Sequence, residues 1–250
     1  NSLFLVSHFH NVIIGGVLFG FFAGISYWFP KVFGFMLDER RGRYAFWFWV
    51  SGFYFAFMPL YPLGLMGAMR RSFHFENVAY KPYLWVAAFG AALIFIGFLC
   101  QVWQLFYSIK HREALRDKTG DPWGGRTLEW SLSSPAPFYN FAHTPTVSQI
   151  DDFWYQKEAM QAEGKRFPEV ADHYEDIHMP RGTSAGFVIS LFAALFGFSV
   201  IWHMLIPGIV GILGVILTVI IKSCNLDTDY YVKASEVESI ERAHVQEAHS

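Results

Sequence analysis

Residues 3–29 read LFLVSHFHNVIIGGVLFGFFAGISYWF, without a single Asp, Glu, Lys or Arg. A helix rises 1.5 Å per residue, so ~20 apolar residues cross a ~30 Å hydrocarbon layer, and this stretch exceeds that length. Four more charge-free stretches follow, at 44–66, 83–107, 184–205 and 207–221. The 250-residue chain is 53% hydrophobic and 19% aromatic, and its 19 Lys and Arg and 21 Asp and Glu all lie outside the five stretches. That segregation excludes a water-soluble globule. Backbone in hydrocarbon must satisfy its own polar groups, so the expected fold is all-α, a polytopic transmembrane helix bundle with five membrane spans.

The run from Ser184 to Ile221 is too long for one crossing and is expected to fold back as a hairpin. Its corner is placed at His203–Gly208, where Pro207 interrupts the hydrogen-bond ladder, with a short second arm. Pro59 and Pro62 predict a bend within the second span. Residues 1–110 then hold three core spans, 111–183 a loop, 184–222 the hairpin and 223–250 a tail. Segments 30–43, 108–183 and 222–250 share one side and carry 16 Lys and Arg, against 3 on the other. The positive-inside rule therefore makes the long loop and the C-terminus cytoplasmic. The abrupt start at Asn1, with no Met or charged leader, predicts a fragment of a larger chain. Cys100 and Cys224 sit in or beside the membrane on the cytoplasmic half, where a disulfide is not expected. A net charge of −2, with no Walker loop or dinucleotide fingerprint, gives no reason to invoke nucleic acid.

Within the first stretch, Ser7-His8-Phe9-His10-Asn11 sets two ionisable side chains in an apolar helix, a costly placement that marks a site. At 100° per residue, His8 and His10 diverge by about 200° and cannot share one metal. Two separate acceptors, each served by one neutral imidazole, satisfy the spacing, and two hemes walled by aromatics are such acceptors. Two other readings stay open: histidines hydrogen-bonded to helix carbonyls, and a proton-relay pair in a heme-free transporter. Arg70-Arg71 lies at the outer end of the second span, nearest the two histidines and against the positive-inside bias. An anionic partner such as a heme propionate accounts for the pair, because guanidinium forks bind carboxylates bidentately. A solvated pair snorkelling from a helix end is the alternative.

The cluster Phe46-Trp47-Phe48-Trp49, beginning three residues after Arg43, reads as an interfacial aromatic belt rather than a quinone site. The remaining histidines, at 74, 111, 143, 173, 178, 203, 244 and 249, show no metal-binding spacing and are expected to be solvated or locally hydrogen-bonded. The charged residues of 108–183 read as a solvated surface, extended at Pro135 and Pro137.

His8-Phe9-His10 followed by Asn11-Val12-Ile13-Ile14-Gly15-Gly16, and Ala56-Phe57-Met58-Pro59-Leu60-Tyr61 before Met69-Arg70-Arg71, resemble the C-terminal part of subunit I of the heme-copper terminal oxidases. Gly120-Asp121-Pro122-Trp123-Gly124-Gly125-Arg126 through Trp130, and Ser133-Ser134-Pro135-Ala136-Pro137-Phe138, look like that family's loop after its twelfth core helix. Asp172-His173-Tyr174-Glu175-Asp176-Ile177-His178-Met179-Pro180 and the two added helices resemble the bo-type ubiquinol oxidases in particular. The resemblance runs from residue 1 to about 232.

By that resemblance His8 matches the axial ligand of the high-spin, oxygen-reducing heme, of type o or a, and His10 an axial ligand of low-spin heme b. Phe9 lies between them, and Arg70 and Arg71 match the arginines on the heme propionates. The active-site copper ligands and the second low-spin ligand belong to helices outside this chain. The resemblance implies a proton-pumping ubiquinol oxidase of the bacterial inner membrane that reduces dioxygen to water. Its partners would be the remainder of subunit I, subunits II, III and IV, and membrane lipids. A cytochrome c oxidase of the same superfamily is the alternative.

Overall fold

The computed structural model describes residues 1–164, 168 and 170–249. Asn1–Asn140, Pro145–Glu169 and His244–Ser250 form one compact unit, and Phe141–Thr144 with Val170–Ala243 a second. The loop expected at 111–183 is thus divided between the two.

The first unit begins with a continuous helix, Leu3–Phe33. It has three parts: α1 (Leu3–Val12), a widened π-helical stretch at Ile13–Leu18, and α2 (Phe19–Phe33). Gly34 ends it in the left-handed region at φ 77°, donating its N–H to Pro30 O at 2.7 Å. The next helix, α3 (Glu39–Phe57), starts at Asp38, whose carboxylate accepts the Arg41 N–H at 2.9 Å. It stops before Pro59, which has no N–H to donate, and a separate short helix, α4 (Leu60–Leu65), follows. The bend expected from Pro59 and Pro62 thus takes the form of a two-residue interruption of the helical hydrogen bonding within Glu39–Leu65. After a 3₁₀ turn at Val78–Tyr80, α5 (Lys81–Lys110) runs 30 residues without interruption.

Small residues let α3 and α5 approach backbone to backbone. A Cβ on Gly90 would stand 2.1 Å from Ala56 N, and one on Gly52 would stand 2.6 Å from Ile94 N. Elsewhere these helices turn large apolar groups outward, among them Trp47, Trp85 and Phe106. That is the inverse of a soluble core and suits a hydrocarbon surround.

The segment read as a solvated surface is partly a folded cap. Trp130 and Phe153 are buried, Trp130 Nε1 donates to Tyr27 Oη at 2.8 Å, and Trp123 Nε1 donates to Tyr27 O at 2.9 Å. On α6 (Asp152–Ala162), Lys157 Nζ meets Asp121 Oδ2 and Gly125 O, each at 2.6 Å. Indole rings with their N–H groups satisfied, together with the Lys157–Asp121 ion pair, shape this part of the loop.

In the second unit, β1 (Ile177–Pro180) precedes the hairpin of α7 (Ala185–Ile201) and α8 (Leu205–Ser223). β2 (Asp229–Val232) and α9 (Ala234–Ala248) follow, with α9 from His244 onward belonging to the first unit. The corner falls at Trp202–Met204, earlier than expected, with His203 at φ 55°. Pro207 sits inside the first turn of α8, where a helix needs no N–H from it, so the second arm is the longer one. β1 and β2 pair antiparallel, with Ile177 opposite Val232, and clasp the two ends of the hairpin. Among the described residues four helices are long and apolar enough to cross a membrane: Leu3–Phe33, Glu39–Leu65, Val78–Lys110 and Leu205–Ser223. The fifth expected span, Ala185–Ile201, has 17 residues. At 1.5 Å per residue that is about 25 Å, short of a ~30 Å layer.

Candidate functional site

α1 carries the histidine pair in a local environment set by the break after α3. Pro59 cannot bond back along the helix, and the Tyr61 N–H turns to Met58 O at 3.2 Å, so the carbonyl of Phe57 lacks a helical partner. Ser7, fully buried, donates its hydroxyl to that carbonyl at 2.6 Å. A serine from one helix thus repairs the ladder of another, and α1 is keyed to α3 one residue before His8. Asn11 Nδ2 donates to Ser7 O at 2.9 Å on the same face.

His10 lies against α3, its ring stacked on Phe57 at 4.5 Å between centroids and 14° between planes. Its Nδ1 is 2.7 Å from Val6 O. A carbonyl can only accept, so Nδ1 carries the proton and Nε2 is left as the basic nitrogen. An imidazole fixed in this way by a backbone carbonyl has the orientation and tautomer of a metal ligand. The reading in which the histidines bond to helix carbonyls is therefore correct for one nitrogen of His10. His8 is exposed, as is Phe9 between them.

The arginines arrive by a second route. Leu3 N–H donates to Ala68 O at 2.9 Å, Arg70 N–H donates to Asn1 O at 3.0 Å, and Ser2 bridges Met69. This stitch pins Arg70-Arg71 beside the start of α1, on the histidines' end of the helix. Gly64 makes the approach possible, since a Cβ there would stand 2.0 Å from Phe4 N. Arg71 adopts φ 65°, and neither arginine forms an ion pair among the described residues. Among those residues no group of three or more His, Cys, Asp or Glu could hold a bare metal ion. The donor set instead suits a planar apolar group that brings its own coordination and presents acidic edges.

The sequence did not reveal Ser7 and Phe57 as partners of the site. The available signal was the pair Pro59 and Pro62, which lack N–H groups and so predict unsatisfied carbonyls in this turn for some neighbour to meet. The aromatic cluster divides. Phe46 and Trp49 line a cavity of about 260 Å³ with Phe19, Phe22, Gln101 and Gln104, while Trp47 faces outward. Trp49 Nε1 donates to Gln101 Oε1 at 3.1 Å.

Residues 1–93 match the family model of cytochrome c and quinol oxidase polypeptide I. A cytochrome bo(3) ubiquinol oxidase subunit 1 of Buchnera aphidicola, from Acyrthosiphon pisum, is 54% identical over 96% of this chain and 36% of its own length. Ubiquinol oxidase subunit 1 of Acetobacter aceti is 51% identical over 98% of this chain and 37% of its own. A Bradyrhizobium diazoefficiens protein named "Probable cytochrome c oxidase subunit 1" is 50% identical over 100% of this chain and 37% of its own. The chain therefore spans little more than a third of the curated relatives it matches. With this likeness running along its whole length, the chain belongs to the cytochrome c and quinol oxidase polypeptide I family.

Proposed function

We propose that the chain is the C-terminal part of the catalytic subunit of a proton-pumping quinol oxidase of the bacterial inner membrane. The hemes, when bound with the copper, supply electron transfer and the reduction of dioxygen to water. His10 offers Nε2 to low-spin heme b, held in orientation by the Nδ1–H bond to Val6 O. His8, on the opposite side of α1, offers its imidazole to the high-spin heme, of type o or a, and Phe9 packs between the two. Arg70 and Arg71 would hold the propionates, since guanidinium groups pair well with carboxylates. Copper is held by residues outside these 250, and the remainder of subunit I with subunits II, III and IV completes the assembly. The long loop and C-terminus face the cytoplasm in this reading, following the Lys and Arg count.

The observation that carries the proposal is the 2.7 Å approach of His10 Nδ1 to Val6 O, which anchors one ring nitrogen to a carbonyl and leaves Nε2 free inside an apolar helix. Ubiquinol is the electron donor, in keeping with the names of the relatives at 54% and 51% identity. Cytochrome c is the second reading, favoured by the name of the relative at 50%. Oxygen uptake by the purified complex separates them: ubiquinol should support turnover where reduced cytochrome c does not, and the reverse result overturns the choice of donor. A reduced-minus-oxidised spectrum of the same complex should show heme, with one component shifted by carbon monoxide. A spectrum without heme overturns the proposal as a whole.

A further inference from the structure

Beside the C-terminal end of α2, Asp117 is buried and Lys31 and His244 are half-buried. Asp117 is 6% exposed; its Oδ1 accepts from the Thr119 N–H and hydroxyl and from the Gly120 N–H. Its Oδ2 is buried with no hydrogen-bond partner. His244, on α9, likewise has a buried Nε2 without a partner, although the sequence predicted a solvated or locally bonded role. The ring is wedged over Gly120, where a Cβ would stand 3.4 Å from that Nε2 and 2.3 Å from Leu132 O. Lys31 Nζ donates to the same Leu132 carbonyl, and to Ser133 O at 3.2 Å.

A neutral imidazole fits this niche, whereas an imidazolium adds a second cation near an ammonium where water is scarce. Burial first, and then Lys31, holds the His244 pKa below its ordinary value, against the pull of Glu247 and Asp117; His249 acts with Lys31. The same end of α9 is otherwise tied by an ion pair between Arg116 and Glu247 at 2.9 Å, which is half exposed and so contributes little.

We propose that residues His244–His249 form a pH-sensitive strap over the 117–133 loop, closed while His244 is neutral and released when it is protonated. The docked residue binds its proton less readily than the free one. Docking is therefore fully stable above the free pKa of about 6.5 and weakens as pH falls below it, until the docked pKa is passed. The strap is built entirely from this chain and does not depend on the oxidase reading.

Hydrogen exchange followed by mass spectrometry on the purified membrane complex, from pH 8.0 to pH 5.5 and corrected for intrinsic rates, tests this. Peptides covering 117–133 and 241–249 should lose protection below pH 6.5, by up to about tenfold per pH unit, while peptides within α5 do not change. H244Q should flatten the response and H249Q should keep it. K31Q removes the neighbouring cation and should shrink the response, which tests the electrostatics even if H244Q fails to dock. Equal protection at both pH extremes in the unmodified complex overturns the proposal, as does an undiminished response in H244Q.

Discussion

The first and third spans are nearly the same length and have opposite characters. Leu3–Phe33 is a helix in three parts, with two histidines, a serine and an asparagine within one and a half turns, and a widened segment directly after them. Lys81–Lys110 is a single unbroken helix that meets α3 backbone to backbone at Gly52 and Gly90, and through Gln101, Gln104 and Ser108 nearer its C-terminal end. The first span carries the two imidazoles and is held by the Ser7 hydroxyl on the Phe57 carbonyl and by backbone bonds to Ala68 and Arg70. The third span carries no histidine and is held by close backbone approach at its glycines together with hydrogen bonds at Gln101, Gln104 and Ser108. The two helices are thus vulnerable to different kinds of change.

The largest expected effect comes from removing the chemistry. In the assembled oxidase, H10A should abolish the low-spin heme signal and with it turnover, while the complex still assembles. H8A should spare that signal and abolish carbon monoxide binding. An intact low-spin spectrum in H10A would remove the basis for the contrast. Next is damage to the packing helix. G90V places a methyl-bearing carbon within 2.1 Å of Ala56 N and should cost about 3 kcal/mol, read as a lower detergent-solubilised Tm and a poor yield of folded complex. A normal yield would mean that α3 and α5 can separate freely.

S7A sharpens the comparison at smaller scale. It leaves the Phe57 carbonyl unpaired and should cost about 1 kcal/mol, with a displaced low-spin band because His10 stacks on that same residue. Ser108 is equally buried but bonds to Gln104 O on its own helix and accepts the Asp38 N–H, so S108A should lower Tm without moving the spectrum. A spectral shift in both, or in neither, would erase the distinction. The smallest effect lies outside the pair, in the ribbon of β1 and β2. The hydrogen bond from His178 at 2.6 Å holds the Asp229 carboxyl below its usual range, with Thr228 assisting. The ribbon should therefore lose that support only as pH falls through the lowered Asp229 value, and D229N should remove this acid dependence in hydrogen exchange of residues 177–180.

Four of the five expected spans are apolar helices of membrane length, legible because exclusion of charge is a property of each stretch by itself. The expected divergence of His8 and His10 is an inference of the same local kind, since helical rotation needs no partner. What escaped depended on distant neighbours. Ser7 and Phe57 are fifty positions apart, and nothing local marks the serine as the group that meets a carbonyl freed in the turn of Pro59 and Pro62. The hairpin corner was misplaced because Pro207 is forbidden in a helix interior but tolerated in a first turn, and the sequence does not say where the turn begins. The burial of Trp130 and of His244 Nε2 depends on segments a hundred residues or more apart being folded together.

The widened segment at Ile13–Leu18 has a geometric effect on everything after it. Each of its hydrogen bonds closes over one more residue than in an α-helix, so the angular phase of the helix is reset between Val12 and Phe19. In a regular α-helix, fixing the azimuth of His10 would also fix that of Phe22, twelve residues later. Here that relation is offset by a fixed angle, and Phe19 and Phe22 meet Trp49 at 6.5 and 5.2 Å while His10 stacks on Phe57. The first span is one continuous helix whose two halves present their faces at an angle that an α-helix of the same length would not give.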